Sequence, residues 1–127
     1  MERAFLDLYK FKKTVTIYVE NSLDQPVTVQ ILGAPSNPPS STVPIGTSFT
    51  VNAGSADFRT LIPEQVGWIP YLTVSLYSST APTAGLVRVI LIRADNSTDI
   101  IVSKLPIRDT AVHTYATDPS YISVVAW

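Results

Sequence analysis

The chain has 127 residues, contains no cysteine and carries a formal net charge of −1 at pH 7. This length fits one domain with a substantial core, and the lack of cysteine excludes disulfides, thiolate nucleophiles and cysteine-ligated metals. Only 15% of the residues are charged and 46% are hydrophobic, whereas about 25% are charged in a typical soluble domain.

Residues 1–13 form a distinct N-terminal segment. Phe5, Leu8 and Tyr9 have the spacing of a helix face, whereas Tyr9 and Phe11 alternate as in a strand, so we expect a short helix or an arm. The segment holds four basic and two acidic residues, which leaves five basic and eight acidic residues for the rest of the chain. It contains no apolar stretch long enough for the core of a signal peptide, and we expect no export signal.

Strict alternation of apolar and polar side chains predicts the first two strands. Residues 14–20 alternate, turn-forming residues follow at 21–26, and the alternation resumes at 27–31, so the two segments are predicted to form a hairpin. Residues 33–44 contain four prolines, and we expect an extended surface loop that crosses between sheets.

Two further strands are predicted at residues 45–51 and from residue 56 onward, as neighbours joined by a turn in which Gly54 has a positive φ. Residues 71–78 alternate with Leu72, Val74 and Leu76 inward. This part of the chain therefore continues the half-buried pattern of the first strands.

Three further strands are predicted. Residues 86–93 are apolar on both faces and predict a strand that is central in its sheet or covered twice. A turn at 95–99 leads into a strand at 100–104, and residues 121–127 are again strand-like with apolar residues on both faces. The longest apolar run, 89–92, is far shorter than the ~20 residues of a membrane-spanning helix, so we expect no membrane insertion. About eight strands result, and we predict an all-β fold: a single antiparallel β-sandwich, jelly-roll or immunoglobulin-like, over residues 14–127.

The candidate catalytic groups are few. His113 is the only histidine, and a serine–histidine–aspartate relay would need it with Asp109 or Asp118. No Gly-x-Ser-x-Gly motif accompanies it, which favours a solvated loop histidine. Asp57 and Glu64 could form a glycosidase pair, but no aromatic grouping singles them out. We therefore expect no enzyme activity and no cofactor.

A partial calcium-loop pattern occurs near residue 97. Asp95, Ser97 and Asp99 match the first three ligand positions, because alternate residues can direct oxygens at one centre. Ile100 stands where the loop needs glycine, and Pro106 where it needs a bidentate glutamate. We therefore predict a polar hairpin tip and no metal site.

Three aromatic residues could form a sugar-binding platform. Tyr71 and Tyr77 share a predicted strand face, and Trp68 precedes them. Six strand residues separate the tyrosines by ~20 Å, so one compact platform is not evident.

Residues 27–31, 49–55 and 67–71 resemble segments of small, uncharacterised β-sandwich proteins from bacteria and their phages. The resemblance implies a structural role and brings no functional residues with it.

The excess of apolar residues is explained either by burial against other subunits or by a solvated face of Ser, Thr, Asn and Gln. The first explanation predicts a non-enzymatic structural subunit of a larger assembly, such as a virion, phage particle or surface filament, in a homo-oligomer or with other subunits. The alternative is a carbohydrate-binding module; the basic segment is too small to favour nucleic acid. The predicted interface residues are Phe5, Leu8, Tyr9, Phe11, Tyr121, Val125 and Trp127.

Overall fold

The computed structural model of the chain describes residues 14–34, 41–62, 71–93 and 96–116. These residues form strands and connections, without a helix among them. The strands are β1 (Val15–Asn21), β2 (Val27–Ala34), β3 (Val43–Pro44), β4 (Phe49–Val51), β5 (Ser55–Leu61), β6 (Tyr71–Tyr77), β7 (Val87–Arg93), β8 (Thr98–Leu105) and β9 (His113–Ala116).

Two antiparallel sheets pack against each other. Sheet I has the order β5-β1-β7-β8, and sheet II has the order β3-β2-β6-β9, with β4 also paired to β2. The predicted all-β, antiparallel architecture is confirmed, with nine strands in the described residues. Its assignment to the jelly-roll or immunoglobulin type stays a prediction. The predicted N-terminal arm and the strand at 121–127 lie outside the described residues.

The core lies between the sheets and follows the alternation in the sequence. In β1 and β2, every second residue is buried, and Leu72, Val74 and Leu76 of β6 are buried as predicted. Burial of each such side chain contributes about 1.5–3 kcal/mol. A shift of a strand by one residue would turn all of its apolar core side chains to solvent, so the alternation fixes the register of strand pairing. Thr73, predicted to point outward, is also buried.

The predicted hairpin of the first two strands is wrong. β1 pairs with β5 and β7 in sheet I, whereas β2 lies in sheet II. The connection between them is held by the chain that follows β6: the N–H groups of Ser22 and Asp24 donate to the carbonyls of Leu86 (2.9 Å) and Ala84 (3.2 Å). The turn-forming residues therefore build an arch between two sheets.

The predicted crossing at residues 33–44 is also wrong. Val43 and Pro44 pair with Gly33 and Leu32, so the chain folds back onto β2 within sheet II, and proline is tolerated there because the strand is short and at an edge. The crossing occurs after β4 instead, since β4 pairs with β2 and β5 with β1. Gly54 in this crossing has the predicted positive φ, +72°.

The central position of β7 is confirmed. It lies between β1 and β8, and β7 and β8 form a hairpin. The N–H of Arg93 donates to the carbonyl of Ser97 at 2.8 Å. Asn96 closes the loop with φ +69°, a conformation that asparagine tolerates better than most residues. The predicted polar hairpin tip therefore lies where the sequence places it.

Asn21 connects the arch to both sheets. Its side chain is 2% exposed. Its Nδ2 donates to the carbonyls of Gln25 (3.0 Å) and Val51 (2.9 Å), and its Oδ1 accepts from the N–H of Leu23 (2.9 Å). The amide of one side chain thus forms hydrogen bonds with three backbone groups that the hydrogen bonds of the sheets leave without a partner.

Replacement of this amide tests its role. We expect Asn21→Ala to lower the free energy of unfolding by about 2–4 kcal/mol, because buried backbone groups lose their partners. Thr16→Ala is the control: it removes the exposed hydroxyl pair between Thr16 and Thr60 (2.9 Å) and should cost less than about 1 kcal/mol. Urea denaturation measures both, and equal losses would contradict the assignment.

Gly85 is required where the two connections touch. A Cβ on Gly85 would lie 1.9 Å from the carbonyl oxygen of Ser22 and 2.6 Å from Cα of Leu23, and its φ is +92°. We expect Gly85→Ala to destabilise the fold by at least about 3 kcal/mol. Gly46 has a φ of +71° but open space around it, so Gly46→Ala should cost only about 1–2 kcal/mol. Thermal unfolding distinguishes the two, and similar shifts would refute the steric argument.

Asp24 makes the arch sensitive to acid. The hydroxyl and the N–H of Thr83 donate to its carboxylate, and they lower the pKa of Asp24 below its ordinary value of 3.8. The carboxylate therefore stabilises the fold fully above the unfolded-state pKa, and this stabilisation is lost as pH falls through the folded-state pKa. Between about pH 5 and pH 2, we expect the unfolding midpoint of Asp24→Asn to fall less steeply than that of the wild type. Parallel midpoint curves would exclude this contribution.

Candidate functional site

The outer face of sheet I carries an apolar row across all four strands. The register aligns Tyr18 with Phe58 and with Ile90, and Ile90 with Ile100. Since residues 15, 17 and 19 of β1 face the core, Tyr18 and its cross-strand partners face outward. Phe58 and Ile100 are 55% and 58% exposed, and the other two are half-buried. We call these four residues the outer row.

Polar side chains border the outer row on both sides. Towards one end of the strands, Glu20 and Arg88 form an ion pair at 3.6 Å. Towards the other end, the hydroxyls of Thr60 and Thr16 form a hydrogen bond. The same line of cross-strand partners continues through Ile92 to Thr98, and we call such a line a level. The face therefore has a charged side, an apolar middle and a side rich in hydroxyls.

A shallow groove adjoins the charged side. Its volume is about 560 Å³, and its lining includes Tyr18, Glu20, Arg88, Ser103 and Lys104. Two cations and one carboxylate beside a tyrosine can bind polar groups by charge and hydrogen bonds. The groove opens onto the same face as the outer row, so it belongs to the same surface.

The free edge of sheet I at β5 is capped by its own side chains. The N–H of Phe58 donates to Asp57 Oδ1 (2.8 Å), and Arg59 Nη1 donates to the carbonyl of Phe58 (2.7 Å). Arg59 also pairs with Asp57 at 3.1 Å and lies 4.1 Å from the ring centroid of Phe49. An added strand would have to break these contacts, which opposes strand addition at this edge.

Asp57 is thus part of the edge, where its carboxylate accepts hydrogen bonds from its neighbours. The N–H of Phe58, followed by the Arg59 side chain, lowers the pKa of Asp57 below its ordinary value. Glu64, its proposed partner in a carboxylate pair, lies outside the described residues. The structure gives Asp57 an ionised, hydrogen-bonded role at the sheet edge.

His113 lies in a strand, which corrects the predicted loop position. It belongs to β9 and pairs with Leu76 of β6. Its Nε2 lies 2.9 Å from Asp109 Oδ1, so one of the two predicted partners is in contact, and Asp118 lies outside the described residues. The hydrogen bond from His113, and then the N–H of Ala111, lowers the pKa of Asp109. The pair links β9 to the connection that precedes it.

An arginine side chain contacts two residues of the partial calcium-loop pattern. Arg93 forms an ion pair with Asp99 and lies 3.3 Å from Ser97 Oγ, while Asp95 is outside the described residues. Within residues 14–34, 41–62, 71–93 and 96–116, no cluster of three histidine or acidic side chains could hold a metal ion.

The predicted sugar platform stays a prediction, because the structure describes the side chain of only one of its three residues. Tyr71 and Tyr77 are the first and last residues of β6, about 20 Å apart in an extended strand. Tyr77 is half-buried and pairs with Thr28. For Tyr71 only the backbone is described, and Trp68 is outside the described residues.

The seven predicted interface residues lie in segments that the structure does not describe, so they stay predictions. The sequence pattern assigned no role to the outer row, although it predicted alternation at residues 14–20 and two apolar faces at residues 86–93. An apolar residue on the polar face of an alternating strand was the available signal. Only the register shows that four such residues align.

Comparison with known proteins does not assign the chain to a family. No family model matches the chain, and no similar protein was found among curated proteins or solved structures. In the described part of the chain, no helix is long and apolar enough to cross a membrane.

Proposed function

We propose that this protein is a non-enzymatic structural subunit of a larger assembly, such as a virion, phage particle or surface filament, and that apolar strand faces join it to other copies. The observation that carries the proposal is the outer row. Single exposed apolar side chains are common on monomers, whereas a contiguous apolar surface bordered by polar residues is typical of an interaction site.

The rest of sheet I supports association through a face. The β5 edge is capped by Asp57 and Arg59, so the most direct route to open-ended strand pairing is opposed there. On the outer face, by contrast, Phe58 and Ile100 at the two ends of the outer row are more than half exposed. Contact between faces would bury these side chains without disturbing a backbone hydrogen bond.

The terminal segments form the second part of the proposal. Residues 1–13 and 121–127 contain the seven predicted interface residues, and an apolar arm that docks on a neighbouring subunit would reinforce contact between faces. This part of the proposal rests on the sequence pattern alone.

The test is the association state of the full-length chain. Sedimentation across a concentration series should show self-association, and Ile100→Glu should weaken it about tenfold or more, because a carboxylate would be buried in the contact. Val112→Glu is the matched control: Val112 is 61% exposed, but it lies in the connection before β9, so the variant should associate like the wild type.

A chain that stays monomeric at every concentration would overturn the proposal, as would equal losses in the two variants. Binding to a glycan array that Tyr77→Ala abolishes would instead favour the carbohydrate-binding alternative.

A further inference from the structure

We infer that sheet I packs face to face against sheet I of a second copy, about a two-fold axis that runs along the strands between β1 and β7. The inference rests on the proposed function and names the partner and the geometry of the contact. It follows from the order of strands and from the side chains at each level of the outer face.

The rotation exchanges strands but keeps their levels. A two-fold axis between β1 and β7 places β1 over β7 and β5 over β8, while each residue stays at the same height along the strands. In the outer row, Tyr18 then meets Ile90 of the partner subunit, and Phe58 meets Ile100 of the partner subunit. Each contact sets an aromatic ring against an aliphatic side chain, and each occurs twice.

The charges agree with the same axis. Glu20 lies on β1 and Arg88 on β7 at one level, so the rotation places Glu20 over Arg88 of the partner subunit. Two ion pairs form across the contact in addition to the pair within each subunit.

A two-fold axis that lies in the plane of the contact but is perpendicular to the strands is disfavoured by the charges. That axis inverts the levels and places Glu20 over Thr16, and Arg88 over Ile92, of the partner subunit. Each charged group would then keep only its partner within its own subunit, and Arg88 would be desolvated against an apolar side chain. Of these two axes, charge complementarity favours the one along the strands.

The size of the face indicates a reversible contact. Four strands at ~4.8 Å spacing and seven residues at ~3.3 Å give a face of roughly 19 by 23 Å. Its projected area of about 440 Å² is below the ~800 Å² of accessible surface that each partner buries in a standard interface. Such a contact suits an assembly in which each subunit is held at more than one place.

Cross-linking tests the orientation, because the chain has no cysteine of its own. Thr60 on β5 and Thr98 on β8 lie at one level of the outer face, and the rotation places each over the other in the partner. Full-length Thr60→Cys and Thr98→Cys proteins are mixed and treated with a bismaleimide that spans the ~10 Å between packed sheets. We expect several-fold more cross-linked dimer in the mixture than in either protein alone, where equal cysteines are offset sideways by about 14 Å.

Charge reversal provides the second readout. Glu20→Arg should lower the association constant about tenfold or more, because it sets two arginines against each other, and the double variant Glu20→Arg/Arg88→Glu should restore it. If the wild type associates but the mixture does not cross-link preferentially or the double variant does not recover, this inference is wrong while the proposed function stands. If the wild type does not associate at all, both are wrong.

Discussion

The buried amide of Asn21 is the interaction on which the topology depends. It terminates β1, satisfies the arch at Leu23 and Gln25, and reaches β4 in the opposite sheet at Val51. Because these groups are satisfied locally, the chain can leave sheet I at Asn21 without exposing unpaired backbone to the core. β1 therefore does not pair with β2, and β5 and β7 are its neighbours on the two sides. Its outward residue Tyr18 becomes the middle of a four-strand face.

Sheet I opposes association at one place and permits it at another. At β5, Asp57 and Arg59 hold the outward backbone groups of Phe58, which is one way that natural sheets avoid edge-to-edge pairing. The ring of Phe58 is nevertheless exposed on the face of the same strand. Under the proposed function, a residue whose backbone is closed to a new strand and whose side chain is open to solvent would favour contact through the face of the sheet.

Alternation was sufficient to predict which residues of β1, β2 and β6 enter the core, because a strand has a side-chain period of two and one face must be buried. Strand partners were not predictable in the same way. Turn-forming residues such as 21–26 show where the chain reverses, but the choice between hairpin and arch depends on contacts with residues 84–86, far away in the sequence. The outer row was missed for this reason, since Tyr18, Phe58, Ile90 and Ile100 come from four separate segments and meet only through register.

The low fraction of charged residues in the chain is reflected in its outer face, which has few charges beside an apolar row. Few residues of this chain are charged, and among the described residues one ion pair, Glu20 with Arg88, lies beside the outer row. An isolated exposed pair adds little to the stability of a monomer. At the border of an apolar row it can set the register of a contact, because an arrangement that brings like charges together is disfavoured. In the proposed contact, Glu20 and Arg88 would therefore contribute specificity, and the four residues of the outer row would contribute the favourable free energy.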